Sequence, residues 1–405
     1  MPGESRIRTV VLTLRYGVRA SYYEDWLEAF ATSPHFTATS FNLFRRGERS
    51  AAVRAVRDAE LVVALHACTA DTLQFIDPLR GALKARRGRL VVLVGNEYNL
   101  PWIRLADKRS FLREVAADFA GTQLPLDAGR YLYGDCAAAV LAVPHAANQI
   151  VFRRDKPDAT RAIDIGSRGF RYPVYLGDNL RNQVHDLFAE IGPVMGLRVA
   201  ISNNGRLDRF GWAVFLNNCR GTVGTEAGTW YLERDDATAL AIRDFLRARS
   251  RAPTIRANGR LHAAFRRLPY GLKAVLKALL AASPMQHEAL DADDADFPEI
   301  AARFFNGRPR CPAYSKCISS RHFEAAATGT CQILVGGRYN DILEANRHYI
   351  ALDPDLGNAR AALERFRDPA ERRRIADAAH DLVHDAHTYP HRLAALYAAL
   401  SAGRP

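Results

Sequence analysis

The chain has 405 residues, 48% of them apolar and 25% charged, which excludes a disordered or fibrous protein and exceeds one ordinary core, so two domains are expected. No apolar run reaches the ~18 residues of a bilayer span. The opening MPGESRIRTVVLTLRYG lacks a secretory layout and reads as a strand, so a cytoplasmic enzyme is expected.

The net charge of +12 is nearly all an excess of arginine. It suits a phosphorylated ligand or an anionic membrane surface. No basic stretch is interleaved with aromatics, so a nucleic-acid partner is not expected. The six cysteines, at 68, 136, 219, 311, 317 and 331, form no CxxC pair and read as buried thiols.

In chain order, RTVVLTLRYG (8–17) reads as a buried strand and SYYEDWLEAFAT (21–32) as a helix. Strands follow at 36–44, 60–67 and 88–98, separated by helices at 48–59 and 72–87, the latter interrupted by Pro78. A helix is expected over 108–119, then short strands in GTQLPL and AAAVLAVPHAAN (137–148). Continuous apolar strands alternating with helices predict a parallel sheet covered on both faces.

The segment 148–161 is polar, contains Pro157 within RRDKPDATR, and reads as a linker. The alternation then restarts with strands at 161–169, 197–205 and 220–228 and helices at 179–192 and 210–219. It resumes with a helix at 320–328, the strand TCQILVGG, a strand at 348–353, and helices at 357–366, 369–387 and 391–401. The layout predicts an α/β protein with two Rossmann-like domains facing a cleft, the first over 1–150 and the second over 151–390. Residues 235–312 read as a helical insertion, and 391–405 as a helix that crosses back to the first domain. Within the insertion, 260–282 is basic and amphipathic, and reads as a solvated or domain-packing helix or as a face for peripheral contact with anionic lipid. DADDAD (291–296) reads as an acidic loop, not a metal site.

The stretch SSRHFEAAATGTCQILVGG (319–337) carries the chemistry. Ser319, Ser320, Arg321 and His322 fall at a helix start, where free N–H groups and the helix dipole attract an anion. Glu324 follows, either as a capping glutamate or as an acceptor for a ribose diol. Arg168 and Arg171 lie in the loop after the second domain's first strand, as diphosphate cations or as solvated charge. Glu226 in GTEAG is a ligand or a loop residue. In the first domain Tyr16 and Gly17 follow the first strand and form a candidate acceptor or phosphate loop. His66 and Glu97 end buried strands and are the candidate catalytic groups, with structural roles as the alternative. His145 reads as a hinge residue.

FEAAATGTCQIL resembles the EAxAxGxPVV segment of group-1 glycosyltransferases of the GT-B fold. The run from SSRHFEAAATGTCQILVGGRYNDILEANRHYIALDPDLGN to RRRIADAAHDLVHDAHTYPHR resembles their spore-maturation-like branch over about 85 residues. IDIGSRGFRYPVYLGDNLRN and RGTVGTEAG fit the opening strand and the glycine-rich loop of that domain. The resemblance implies a glycosyltransferase moving a sugar, with retention, from a nucleotide-diphosphate sugar to the hydroxyl of a glycan, lipid-linked or small-molecule acceptor. It implies that Glu324 holds the ribose, and that Ser319, Arg321, His322, Arg168 and Arg171 meet the diphosphate. No cofactor or metal is implied. Eight residues before Glu324 many of these enzymes carry a second glutamate; here the position is Lys316, with Glu226 as the nearest substitute. A non-catalytic nucleotide-binding protein and a nucleotide-sugar epimerase are the alternatives on the same fold.

Overall fold

The computed structural model describes residues 6–15, 20–203, 205–249, 254–255, 286–287 and 296–402. Most of the expected insertion, including 260–282 and DADDA, lies outside the described residues, as do Tyr16 and Gly17.

The first sheet has six parallel strands: β1 (Ile7–Thr13), β2 (Phe36–Asn42), β3 (Leu61–Ala64), β4 (Arg89–Leu93), β5 (Ala117–Thr122) and β6 (Ala137–Ala142), in the order β2-β1-β3-β4-β5-β6. Alternate residues of each apolar run feed two separate cores, as a two-residue period requires. Val10, Leu12, Val62, Leu90 and Val92 enter one cluster. Ile7, Val11, Leu61, Val63, Val91 and Leu93 enter the other, with Trp26 and Phe30 of the helix α1 (Ser21–Thr32). The last helix, Tyr389–Ala402, joins that second cluster through Leu393, Leu396 and Leu400.

Two local readings are corrected. The helix expected over 108–119 runs instead from Leu105 to Glu114. Ala116 has φ +47, a left-handed break that turns the chain directly into β5. The helix expected over 72–87 is a 3-10 turn, Asp77–Leu79, followed by Arg80–Lys84, because Pro78 can only open a helix.

The second sheet has five parallel strands, in the order Ile350–Leu352, Cys331–Val335, Cys219–Gly224, Ile163–Arg168, Val199–Ser202. Strand order reverses direction beside β1 in the first sheet and beside Ile163–Arg168 in the second. Loops leaving adjacent strands diverge at such points and open a crevice at the strands' carboxyl ends. The six cysteines are free thiols. No helix among the described residues is long and apolar enough to cross a membrane.

Candidate active site

A cleft of ≈ 880 Å³ is lined from one side by Ser21, Glu97 and Gln123 and from the other by Arg171, Ser319, Arg321 and Glu324. Its floor is built by the helix Ser320–Ala327. Ser319 is the N-cap, and the reciprocal cap is His322: the Ser319 backbone N–H donates to His322 Nδ1 at 2.9 Å. Burial pushes the His322 imidazole down to about 3, so it stays neutral and serves the cap. Glu324 lies beyond the first turn and is not the capping residue. The helix stops at Thr328. Gly329 follows at φ +64, a left-handed stop that favours glycine, with the Arg154 guanidinium packed against it.

Glu324 is 2% exposed. Its Oε2 accepts from Trp212 Nε1 at 2.7 Å. Its Oε1 accepts the Ser21 hydroxyl, which comes from the opposite side of the cleft. Asp25 and Glu28, four and seven residues after Ser21 on the same stripe of α1, both pair with Arg209. Asn148 Nδ2 donates to the same two carboxylates at 2.9 and 3.0 Å. Burial pushes the Asp25 carboxyl up to about 7, although Arg209 pulls it down. That α1 stripe, missed in the sequence, is one of the contacts that join the two halves; Asn99, which donates to the Asp236 carboxylate at 2.6 Å, is another.

The cations converge unevenly. Arg321 lies 4.5 Å above the Trp212 ring and donates to the Arg168 carbonyl at 2.6 Å. Desolvation, with Arg181 and Arg206 nearby, brings its pKa down to about 9; Glu324 opposes the shift. A site that holds a guanidinium among other cations is prepared for an anion. Arg171 lines the cleft but is held bidentately by Asp186 at 2.7 Å. The Arg168 side chain packs over Phe215 at 5.1 Å and does not line the cleft; its carbonyl positions Arg321. Arg181, not singled out in the sequence, lines the cleft from the first turn of the helix Leu180–Val194 and stacks over Tyr172 at 4.8 Å.

On the other side, Glu97 lines the cleft and is 5% exposed. Its oxygens accept from Thr122 Oγ1 at 2.6 Å and the Gln123 backbone N–H at 2.8 Å. Burial outweighs those bonds and pushes its carboxyl up to about 7. His66 sits behind the cleft wall, 4.7 Å from His145 and 5.6 Å from Trp26 between ring centres. Neither of its nitrogens has a hydrogen-bond partner among the described residues, and burial pushes it down to about 3. His145 does line the cleft, and its Nδ1 accepts from Trp26 Nε1 at 3.2 Å.

Glu226 stands beside the cleft rather than in it. It accepts the Tyr314 hydroxyl and the Tyr339 backbone N–H, the latter at 2.7 Å. Lys316 is buried in an ion pair with Asp178 at 2.5 Å, its ammonium 4.8 Å above the Trp230 ring.

Residues 301–398 match the family model described as "Glycosyl transferase-like". No curated protein matches the chain. Among solved structures, an alpha-glucosyltransferase in complex with UDP and a 13-mer DNA aligns over 98% of this chain and 100% of its own, with 12% identity and a TM-score of 0.50. HepE of Anabaena in complex with UDP-glucose aligns over 98% and 100%, with 11% identity and a TM-score of 0.48. A sucrose-phosphate synthase of Thermosynechococcus elongatus aligns over 98% and 100%, with 13% identity and a TM-score of 0.48. The matched family segment contains the capped helix and Glu324, and the two facing parallel sheets complete the architecture around it: the chain has the GT-B fold, and its residues 301–398 are similar to glycosyltransferases.

Proposed function

We propose that the C-terminal side of the cleft binds a nucleotide-diphosphate sugar and that the sugar passes, with retention, to an acceptor hydroxyl held against the N-terminal side. The observation that carries this reading is the buried Glu324 carboxylate one turn inside a helix N-terminus, with Arg321 and Arg181 facing the same space. A ribose diol supplies two donors to such a carboxylate. The diphosphate then falls at the helix start, where backbone N–H groups and guanidinium groups neutralise the charge that grows as the leaving group departs. Glu97, with its carboxyl near neutrality, accepts the proton of the acceptor hydroxyl. Of the two groups singled out on the N-terminal side, Glu97 is the one that reaches the cleft.

The test is calorimetric titration with UDP, GDP, ADP, CDP and TDP, followed by turnover of the matching nucleotide sugar. One diphosphate is expected to bind, at least tenfold more weakly to Glu324→Gln. Equal affinity in that variant sinks the ribose role. Binding without any sugar transfer to a panel of glycan, lipid-linked and small-molecule acceptors sinks the transferase mechanism.

A further inference from the structure

Glu97 follows a turn made by Gly95 and Asn96, with Asn96 at a left-handed φ of +49. Two side chains pin that turn. Asn96 Nδ2 donates to Asp71 Oδ1 at 3.0 Å. From the helix Leu105–Glu114, Lys108 Nζ donates to the Gly95 and Asn96 carbonyls at 2.6 and 2.7 Å. Lys108 is 1% exposed. Burying an ammonium is costly, and this one is given to two carbonyl groups of the turn that carries Glu97.

The helix that bears Lys108 is itself held from the other half of the molecule. Its N-cap residue, Arg104, makes no side-chain bond to the free N–H groups. Asp236 makes the bonds instead, accepting from the Leu105 and Ala106 N–H groups at 3.1 and 2.9 Å and from Asn99 Nδ2 at 2.6 Å. Asn99 is tied again to the Glu233 backbone, donating to its carbonyl at 3.0 Å and accepting its N–H at 2.9 Å. Between these points Leu100 and Ile103 share one apolar cluster with Ala239 and Ile242. The segment from Glu97 to the helix is thus fixed along its length by the C-terminal half.

We propose that Lys108 is a positioning residue for Glu97 and that Asp236 holds it in place from across the domain interface. The inference rests on Glu97 as the proton acceptor proposed above. The ammonium acts in two ways: its bonds fix the backbone from which Glu97 projects, and its charge favours the carboxylate form. Burial brings Lys108 down to about 8, with Glu97, Asp71 and Asp236 opposing the shift, so it stays charged at neutrality. Tyr133 and Cys317 also face Glu97, but burial keeps both neutral, so the favourable charge comes from Lys108.

The experiment compares pH–rate profiles of sugar transfer in wild type, Lys108→Met, Asp236→Asn and Glu97→Gln. Alongside, calorimetry measures each variant's affinity for whichever of UDP, GDP, ADP, CDP and TDP the wild type binds. Lys108→Met should lower kcat near neutrality by about tenfold or more and leave diphosphate affinity unchanged. It should also move the climb of rate with pH upward by about half a pH unit or more, because the carboxylate has lost a neighbouring cation. Asp236→Asn should move the climb in the same direction by less. A purely structural role lowers the rate equally at every pH, so a profile that stays in place in Lys108→Met overturns the inference. If Lys108→Met does not fold, an unmoved profile in Asp236→Asn overturns it instead. A climb that survives in Glu97→Gln takes down Glu97 as the proton acceptor, and this inference with it. A climb lost in Glu97→Gln but unmoved in Lys108→Met takes down the positioning role alone.

Discussion

Ser21 donates its hydroxyl to Glu324 across the cleft, joining residues 303 positions apart. The carboxylate proposed for the ribose is thus already occupied, on one side by Ser21 and on the other by Trp212. A ribose diol must displace Ser21 to reach Oε1. Ser21→Ala should therefore bind the cognate nucleoside diphosphate more tightly, by about tenfold or more, the size of one hydrogen bond to a charged group. Calorimetry checks this; equal or weaker binding would show that the two ligands of Glu324 do not compete.

Removing the carboxylate separates binding from folding. Glu324→Ala leaves the buried Trp212 indole N–H without its acceptor, a loss of about 1–3 kcal/mol. Glu324→Gln keeps an acceptor oxygen for that bond. Denaturant melts should rank wild type and Glu324→Gln together, with Glu324→Ala below. A Glu324→Ala protein as stable as wild type would contradict the bond to Trp212.

Glu97 gives the reaction a pH dependence. Its carboxyl is pushed up to about 7 by burial, so the carboxylate able to accept a proton appears as pH rises through that value. The transfer rate should climb across roughly pH 6–8, and Glu97→Gln should abolish the climb while lowering kcat by about 10²–10⁴-fold. A pH–rate profile of unchanged shape in Glu97→Gln would remove Glu97 from the proton path.

Asp25 makes a linked prediction about stability. Its folded value of about 7 stands above the ordinary aspartate value of 3.8, so folding favours its protonated form. The unfolded chain ionises first as pH rises, and the wild type loses stability between about pH 4 and about 7. Asp25→Asn cannot ionise and keeps its bond partners in reach. Its melting temperature relative to wild type should rise over that window and level off above it. A constant difference would mean that Asp25 is not held in this environment.

Arg181 supplies cleft charge from a helix first turn, where a cation has no intrinsic reason to be and an anionic ligand would justify it. Arg181→Met should weaken diphosphate binding about tenfold and flatten its dependence on salt. Nucleoside affinity, measured without phosphates, should be unchanged. An equal loss for nucleoside and diphosphate would assign Arg181 to packing instead.

The central strands were legible because they carry continuous apolar runs that bury both faces, as Leu61–Ala64 and Arg89–Leu93 do, and the edge strand Phe36–Asn42 from its alternation. The helix start at Ser319 was legible from its small and polar residues; its cap uses His322, which leaves Glu324, read either as a cap or as a ribose acceptor, outside the cap. What local pattern could not supply was the partner of each polar group. Ser21, Asp25 and Glu28 recur at helical spacing and so share a face, but nothing nearby in sequence says that this face meets Glu324 and Arg209. Arg168 and Arg171 were chosen for their loop. The fold gave one to Phe215 and the other to Asp186, while Arg181, hidden in an ordinary helix, faces the cleft.

The main chain joins the two halves near residue 147 and again near residue 388, and these crossings are bonded to each other. The Ala147 N–H donates to the His387 carbonyl at 3.0 Å, and the Tyr389 N–H donates to the Ala147 carbonyl at 3.3 Å. A single tether would let one half swivel on the other. Two tethers fastened side by side behave like the leaf of a hinge, which bends about one line and resists twist. Any opening of the cleft would therefore be confined to one arc, with Ser21 facing Glu324 and Asp25 facing Arg209 at its closed end.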